Sequence, residues 1–239
     1  MLKFIFITVF PVVFLLCYLY KQDQVKPEPK KKLAECFGLG MLGGIVGMLV
    51  KRVFAWFGWG TGYDSLFYGD VICALVRSAV HVAIMYFILW KHSKKNAYFD
   101  EFFDGPVYAV CISFGYEVLG KFFSMFSDEW VHVALWSIIA VVAVYATAMT
   151  IGYYYSLAFF GKMELTKTNR LKMWAYPIVI LWAYNCIVYW KNTGIIGFLV
   201  AFVLFGILGY LIYKKNNAII AALKEQDRTQ EDHKQSDHE

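Results

Sequence analysis

Seven apolar runs, most about 20 residues long, at 2–20, 33–50, 67–90, 106–126, 130–160, 173–190 and 193–213, leave this chain few ways to fold. A run of that length crosses a hydrocarbon core roughly 30 Å thick as a helix, which satisfies its own backbone polar groups where water is absent. The expected fold is all-α: a polytopic transmembrane helix bundle of seven spans over 1–213. A charged tail over 214–239, expected to be partly disordered, follows it. A composition of 59% hydrophobic and 17% charged residues agrees with a membrane solvent.

The basic residues orient the bundle. Of 23 Lys and Arg, seventeen lie in the segments after the first, third, fifth and seventh runs and four lie on the opposite side, with Arg77 and Lys121 inside runs. The positive-inside rule then predicts an outer N-terminus, a cytoplasmic tail and a multi-pass protein of the cell membrane. The net charge of +5 follows from this topology and calls for no nucleic-acid partner. Lys3 before an apolar run resembles a signal peptide, but Pro11 and the lack of an A-x-A exit predict a retained helix. Cys17, Cys36, Cys73, Cys111 and Cys186 form no C-x-x-C pair and read as small buried apolar residues.

Several residues stand out inside the runs. Gly40 with Gly44 and Gly43 with Gly47 make overlapping small-xxx-small pairs, suited to close packing within the chain or to a homodimer. Asp70, Arg77 and His81 share one helical face. Glu117 and Lys121, four apart, are spaced for an intrahelical ion pair. A charge deep in a bilayer costs roughly 2.5 to 3.5 kcal/mol, so each such residue either meets a partner or marks a functional site. The lysines of 21–32 suit anionic headgroups of membrane lipids, and Trp56 and Trp59 suit the interfacial belt. Asp128 and His132 open the fifth run, and Asn185 lies within the sixth.

Four pieces in order, Lys-Pro-Glu28-Pro29, Phe99-Asp-x-x-x-Asp104-Gly105-x-Val-Tyr108, Phe114-Gly115 and Gly152-Tyr-Tyr-x-x-x-Ala158, resemble the PrsW family of intramembrane proteases. That family is related to the CAAX-protease and bacteriocin-processing group. The resemblance covers roughly 2–160 and implies cleavage of single-pass membrane proteins such as anti-sigma factors. The family's E-E-x-x-K run falls here at His81–Met85, its E-N pair at Gly120-Lys121 and its His near Val144, so its acid and base positions are not matched. Glu117, one turn before the E-N position, and His81 are the candidates for a relocated catalytic pair, with Asp104 at the cavity mouth. No motif supplies three zinc ligands, and metal use stays open.

Three functions follow. A divergent PrsW-like peptidase requires His81 and Glu117 to meet. A catalytically inactive relative that holds a transmembrane partner requires Glu117 to pair with Lys121 and no second acid or base. A transporter would need inverted repeats and a polar path, and the sequence shows neither.

Overall fold

The computed structural model describes residues 2–22, 28–56, 71–124, 130–190 and 195–236 of the chain. Asp70, Trp59 and Asp128 lie outside the described residues. The described secondary structure is helical: α1 (Leu2–Gln22), α2 (Lys30–Trp56), α3 (Cys73–Ser93), α4 (Asp104–Ser124), α5 (Trp130–Phe159), α6 (Lys167–Trp190) and α7 (Ile195–Ser236). Five of these are long and apolar enough to cross a membrane, at Lys30–Phe54, Cys73–Ser93, Ile139–Phe159, Lys167–Val188 and Leu199–Thr229. The expected count of seven spans is thus met by five helices. The apolar part of α1 is a shorter stretch, Val9–Gln22. Helix α4, which carries Asp104, Glu117 and Lys121, is not among the five.

Burial explains why α4 can carry charge. It packs between α2 and α5, and every residue from Glu101 to Tyr116 is buried. Its neighbours are protein, which can satisfy polar groups that lipid cannot. Glycines set the spacing. A Cβ on Gly40 would strike the carbonyl of Ile112, and one on Gly115 would strike the carbonyl of Phe37. Gly44 and Gly47 face Tyr116, while Gly43 faces Ile84 and Ile88 of α3. The close approach that Gly40, Gly43, Gly44 and Gly47 permit is therefore used inside the chain, and a second copy would find them covered. Gly105 and Gly152 do the same between α4 and α5, where a Cβ on Gly152 would overlap Pro106. Pro106 lies in the first turn of α4, where a missing N–H leaves no hydrogen bond unmade.

The tail differs from the expectation. Helix α7 runs on without interruption to Ser236 and buries Ile219, Ile220, Leu223 and Asp227. Their spacing of three to four residues makes one stripe on a helix, which offsets the polar composition of the segment. Asp227 accepts hydrogen bonds from the backbone N–H groups of Phe102 (2.6 Å) and Phe103 (3.2 Å). Asp104 accepts from those of Asp100 (2.9 Å) and Glu101 (2.7 Å). Two carboxyl groups thus take four successive backbone donors leading into α4. Asp227→Ala strands two buried donors and is expected to cost roughly 2–4 kcal/mol. The check is limited proteolysis, in which the substituted chain loses 214–236 before the rest of the bundle unfolds.

Candidate functional site

Among the described residues two polar clusters stand out, and His81, Glu117 and Asp104 divide between them. The first joins α3 to α4. His81, one helical step into the buried face formed by Ala74, Ser78, Val82 and Met85, directs Nδ1 to Oε1 of Glu117 at 3.8 Å. The His81 side chain is 7% exposed and that of Glu117 is 23% exposed, so one partner is sealed and the other is open to small molecules. A separation of 3.8 Å is longer than a hydrogen bond. Catalytic pairs often have this looseness before substrate arrives. The Tyr116 ring packs on the imidazole with centroids 4.1 Å apart, and Tyr116 is itself held against Gly47. The two rings are tilted by 44°, so Tyr116 packs obliquely against the imidazole.

Lys121 follows one turn along α4, within electrostatic reach of Glu117. Arg77, on the same face as His81, donates from Nε to the carbonyl of Cys73 at 3.2 Å. This contact accounts for Arg77 as a charge partly satisfied by its own helix. Ser78, one residue on, receives a hydrogen bond from Asn185 of α6 at 3.1 Å and so ties the third polar helix to the same layer.

Asp104 lies elsewhere. Thirteen residues of helix separate it from Glu117, roughly 20 Å along the axis. It belongs to the second cluster, at the lysine-rich end, where it is 1% exposed. Its carboxyl lies within electrostatic reach of Glu28, to which Tyr108 donates its hydroxyl. Tyr108 also meets Asn96 and packs on the ring of His92 at 5.2 Å. Ser93 and Tyr155 close the layer with a 2.5 Å hydrogen bond between α3 and α5. The structure therefore brings His81 and Glu117 together and leaves Asp104 out of that site.

Burial, and then the Glu28 carboxylate, push the Asp104 carboxyl up to about 10, against the pull of the Glu101 N–H. Two buried acids this close keep a proton between them, as one charge disfavours the other. A folded value above the unfolded one means that this group's stabilising contribution is whole below about pH 4 and is lost as pH rises towards about 10. Asp104→Asn keeps an oxygen for the two backbone donors and supplies an N–H for Glu28. Thermal unfolding in detergent is expected to show a wild-type Tm that falls from pH 5 to pH 9, and a shallower fall for Asp104→Asn. Equal slopes would show that the proton is held elsewhere.

Glu28 and Tyr108 appear in the motif pieces, but nothing in their spacing says that they bond, and no sequence pattern marks His92 or Asn96. Asp227 went unread because it lies in a polar tail. Among the described residues no group of three or more His, Cys, Asp or Glu side chains is arranged to hold a metal ion. All five cysteines are free thiols. Searches of protein-family models, of curated proteins and of solved structures found no match to this chain.

Proposed function

We propose that this chain is a divergent PrsW-like intramembrane endopeptidase that acts on single-pass membrane proteins, with Glu117 and His81 as its acid-base pair. The observation that carries the reading is their convergence at 3.8 Å from two helices. Peptide hydrolysis needs a base for water and an acid for the leaving amine. Glu117, the more open partner, takes a proton from water, and the resulting hydroxide attacks the scissile carbonyl carbon. Lys121, one turn away, places positive charge near the developing oxyanion. Collapse of the tetrahedral intermediate breaks the C–N bond, and the proton passes through His81 to the amine. In this reading all seven helices span the membrane, with the N-terminus outside and the lysine-rich end and α7 extension in the cytoplasm.

A second reading, a catalytically inactive PrsW-like protein that holds a transmembrane partner, is favoured by the placement of Lys121 beside Glu117. The two readings separate on the fate of a captured partner. A photoreactive side chain at Phe122, five residues beyond Glu117 on α4 and 49% exposed, would crosslink a bound single-pass protein. The peptidase reading expects that protein to be shortened whenever the unmodified gene is present. Recovery of the intact partner alone, at the same crosslinking yield with and without Glu117→Gln, favours the second reading.

A further inference from the structure

A groove of about 740 Å³ runs between α2 and α3, apart from the His81–Glu117 pair. Its walls are Leu39, Leu42, Val46, Ile84, Phe87 and Ile88, and its mouth at the lysine-rich end holds Lys32, Lys91 and Lys95. Leu42 is 58% and Phe87 is 58% exposed, although both lie on helices apolar enough to cross a membrane. Lys32 is already bonded to Glu35 at 2.8 Å, which leaves that wall near neutral. Lys91 and Lys95 stand one turn apart on the facing wall, both exposed. Beside them Lys94 lies over the Trp90 ring at 4.1 Å, the arrangement of a side-chain pair at the membrane–water boundary. The groove is therefore apolar at the depth of acyl chains and cationic at the depth of headgroups.

We propose that this groove binds one anionic phospholipid, with its phosphate between Lys91 and Lys95 and an acyl chain along Leu42, Val46 and Phe87. The charge pattern selects the occupant. A transmembrane peptide would fill the apolar walls but has no need of paired ammonium groups at the boundary, whereas a phosphate does. The volume falls within the roughly 300–1,000 Å³ of small-molecule sites, which suits one lipid rather than a second helix. The proposal rests on the membrane-spanning reading of α2 and α3 and is independent of peptidase activity, so loss of cleavage would leave it standing.

The test is native mass spectrometry of the full chain, released from micelles with equimolar phosphatidylglycerol and phosphatidylcholine. Each lysine near a headgroup is worth about fivefold, so the pair should favour phosphatidylglycerol by roughly 25-fold at low salt. Lys91→Gln with Lys95→Gln should bring the two lipids to near parity, and Lys91→Arg with Lys95→Arg should keep the preference. Leu42→Trp, which fills the groove, should lower retention of both lipids. Millimolar glycerol phosphate should not displace the bound lipid; displacement would assign the lysines to a soluble phosphate and overturn the proposal. Equal retention by wild type, or a preference that survives the double Gln substitution, would overturn it too. Because Lys91 and Lys95 are exposed, that double variant carries the test even if Leu42→Trp fails to fold.

Discussion

Gly115→Leu is expected to unfold the bundle at its centre. A Cβ at position 115 already meets the carbonyl oxygen of Phe37, and the amide nitrogen of Met41 stands 3.0 Å away, so three further carbons have no space unless α2 and α4 move apart. Backbone atoms cannot rotate out of the way as a side-chain tip can. Separation of the two helices would also release Gly40 from Ile112 and Gly44 from Tyr116, which lose their contacts together. Overpacking of a tight core costs roughly 1–3 kcal/mol, and a bulky residue between two backbones belongs at the upper end or beyond. Thermal unfolding in detergent should show a large loss for Gly115→Leu and a smaller one for Gly115→Ala. Gly38, where an added Cβ meets nothing within 4 Å, is the control, and Gly38→Ala should leave stability almost unchanged. A tolerant Gly115 would mean that α2 and α4 do not pack through their glycines.

Glu117→Gln should lower cleavage by roughly 10²- to 10⁴-fold while leaving the fold intact. The amide has nearly the same shape and keeps an oxygen towards His81, but it cannot accept the proton of water. His81→Ala removes the proton donor and also the ring on which Tyr116 packs, so it should reduce both activity and stability. The contrast between the two matters. A purely structural pair would make Glu117→Gln nearly silent, since Glu117 is 23% exposed and its polar contacts can be replaced by water.

Much of the architecture was legible in the chain because membrane helices announce themselves through length and hydropathy. The helices α2, α3, α5, α6 and α7 each overlap a run read from sequence. Helix α4 reads as another span in the sequence, and in the structure its first half is buried between α2 and α5; hydropathy reports how apolar a run is, not whether lipid or protein surrounds it. The small-xxx-small pattern at Gly40 and Gly44 pointed to close packing, but only the partner helix could say that Ile112 and Tyr116 of α4 are what they receive. The tail was misread for a compositional reason. Its Lys, Glu, Asp and Gln content outweighs Ile219, Ile220 and Leu223, yet those three alone form the stripe that docks.

The site was legible to a different degree. Charge inside a run singled out His81 and Glu117, and their meeting across two helices follows from neither position in the chain. Asp104 was grouped with them because its loop precedes the same helix; a helix rise of 1.5 Å per residue carries it far from Glu117. It lies within electrostatic reach of Glu28, just before α2, and accepts from the backbone of Asp100 and Glu101. Asp227 completes that end from more than 120 residues away, a contact no local pattern announces.

The most direct measurement compares membrane-protein fragments by N-terminal peptide mass spectrometry in host cells that lack the gene, carry it, or carry Glu117→Gln, His81→Ala or Asp104→Asn at equal abundance. A peptidase built on the His81–Glu117 pair predicts a new N-terminus near a membrane boundary with the unmodified gene and with Asp104→Asn, and its loss with Glu117→Gln and His81→Ala. A fragment that persists with Glu117→Gln, or no gene-dependent fragment at all, would contradict the assignment of that pair as the site of catalysis.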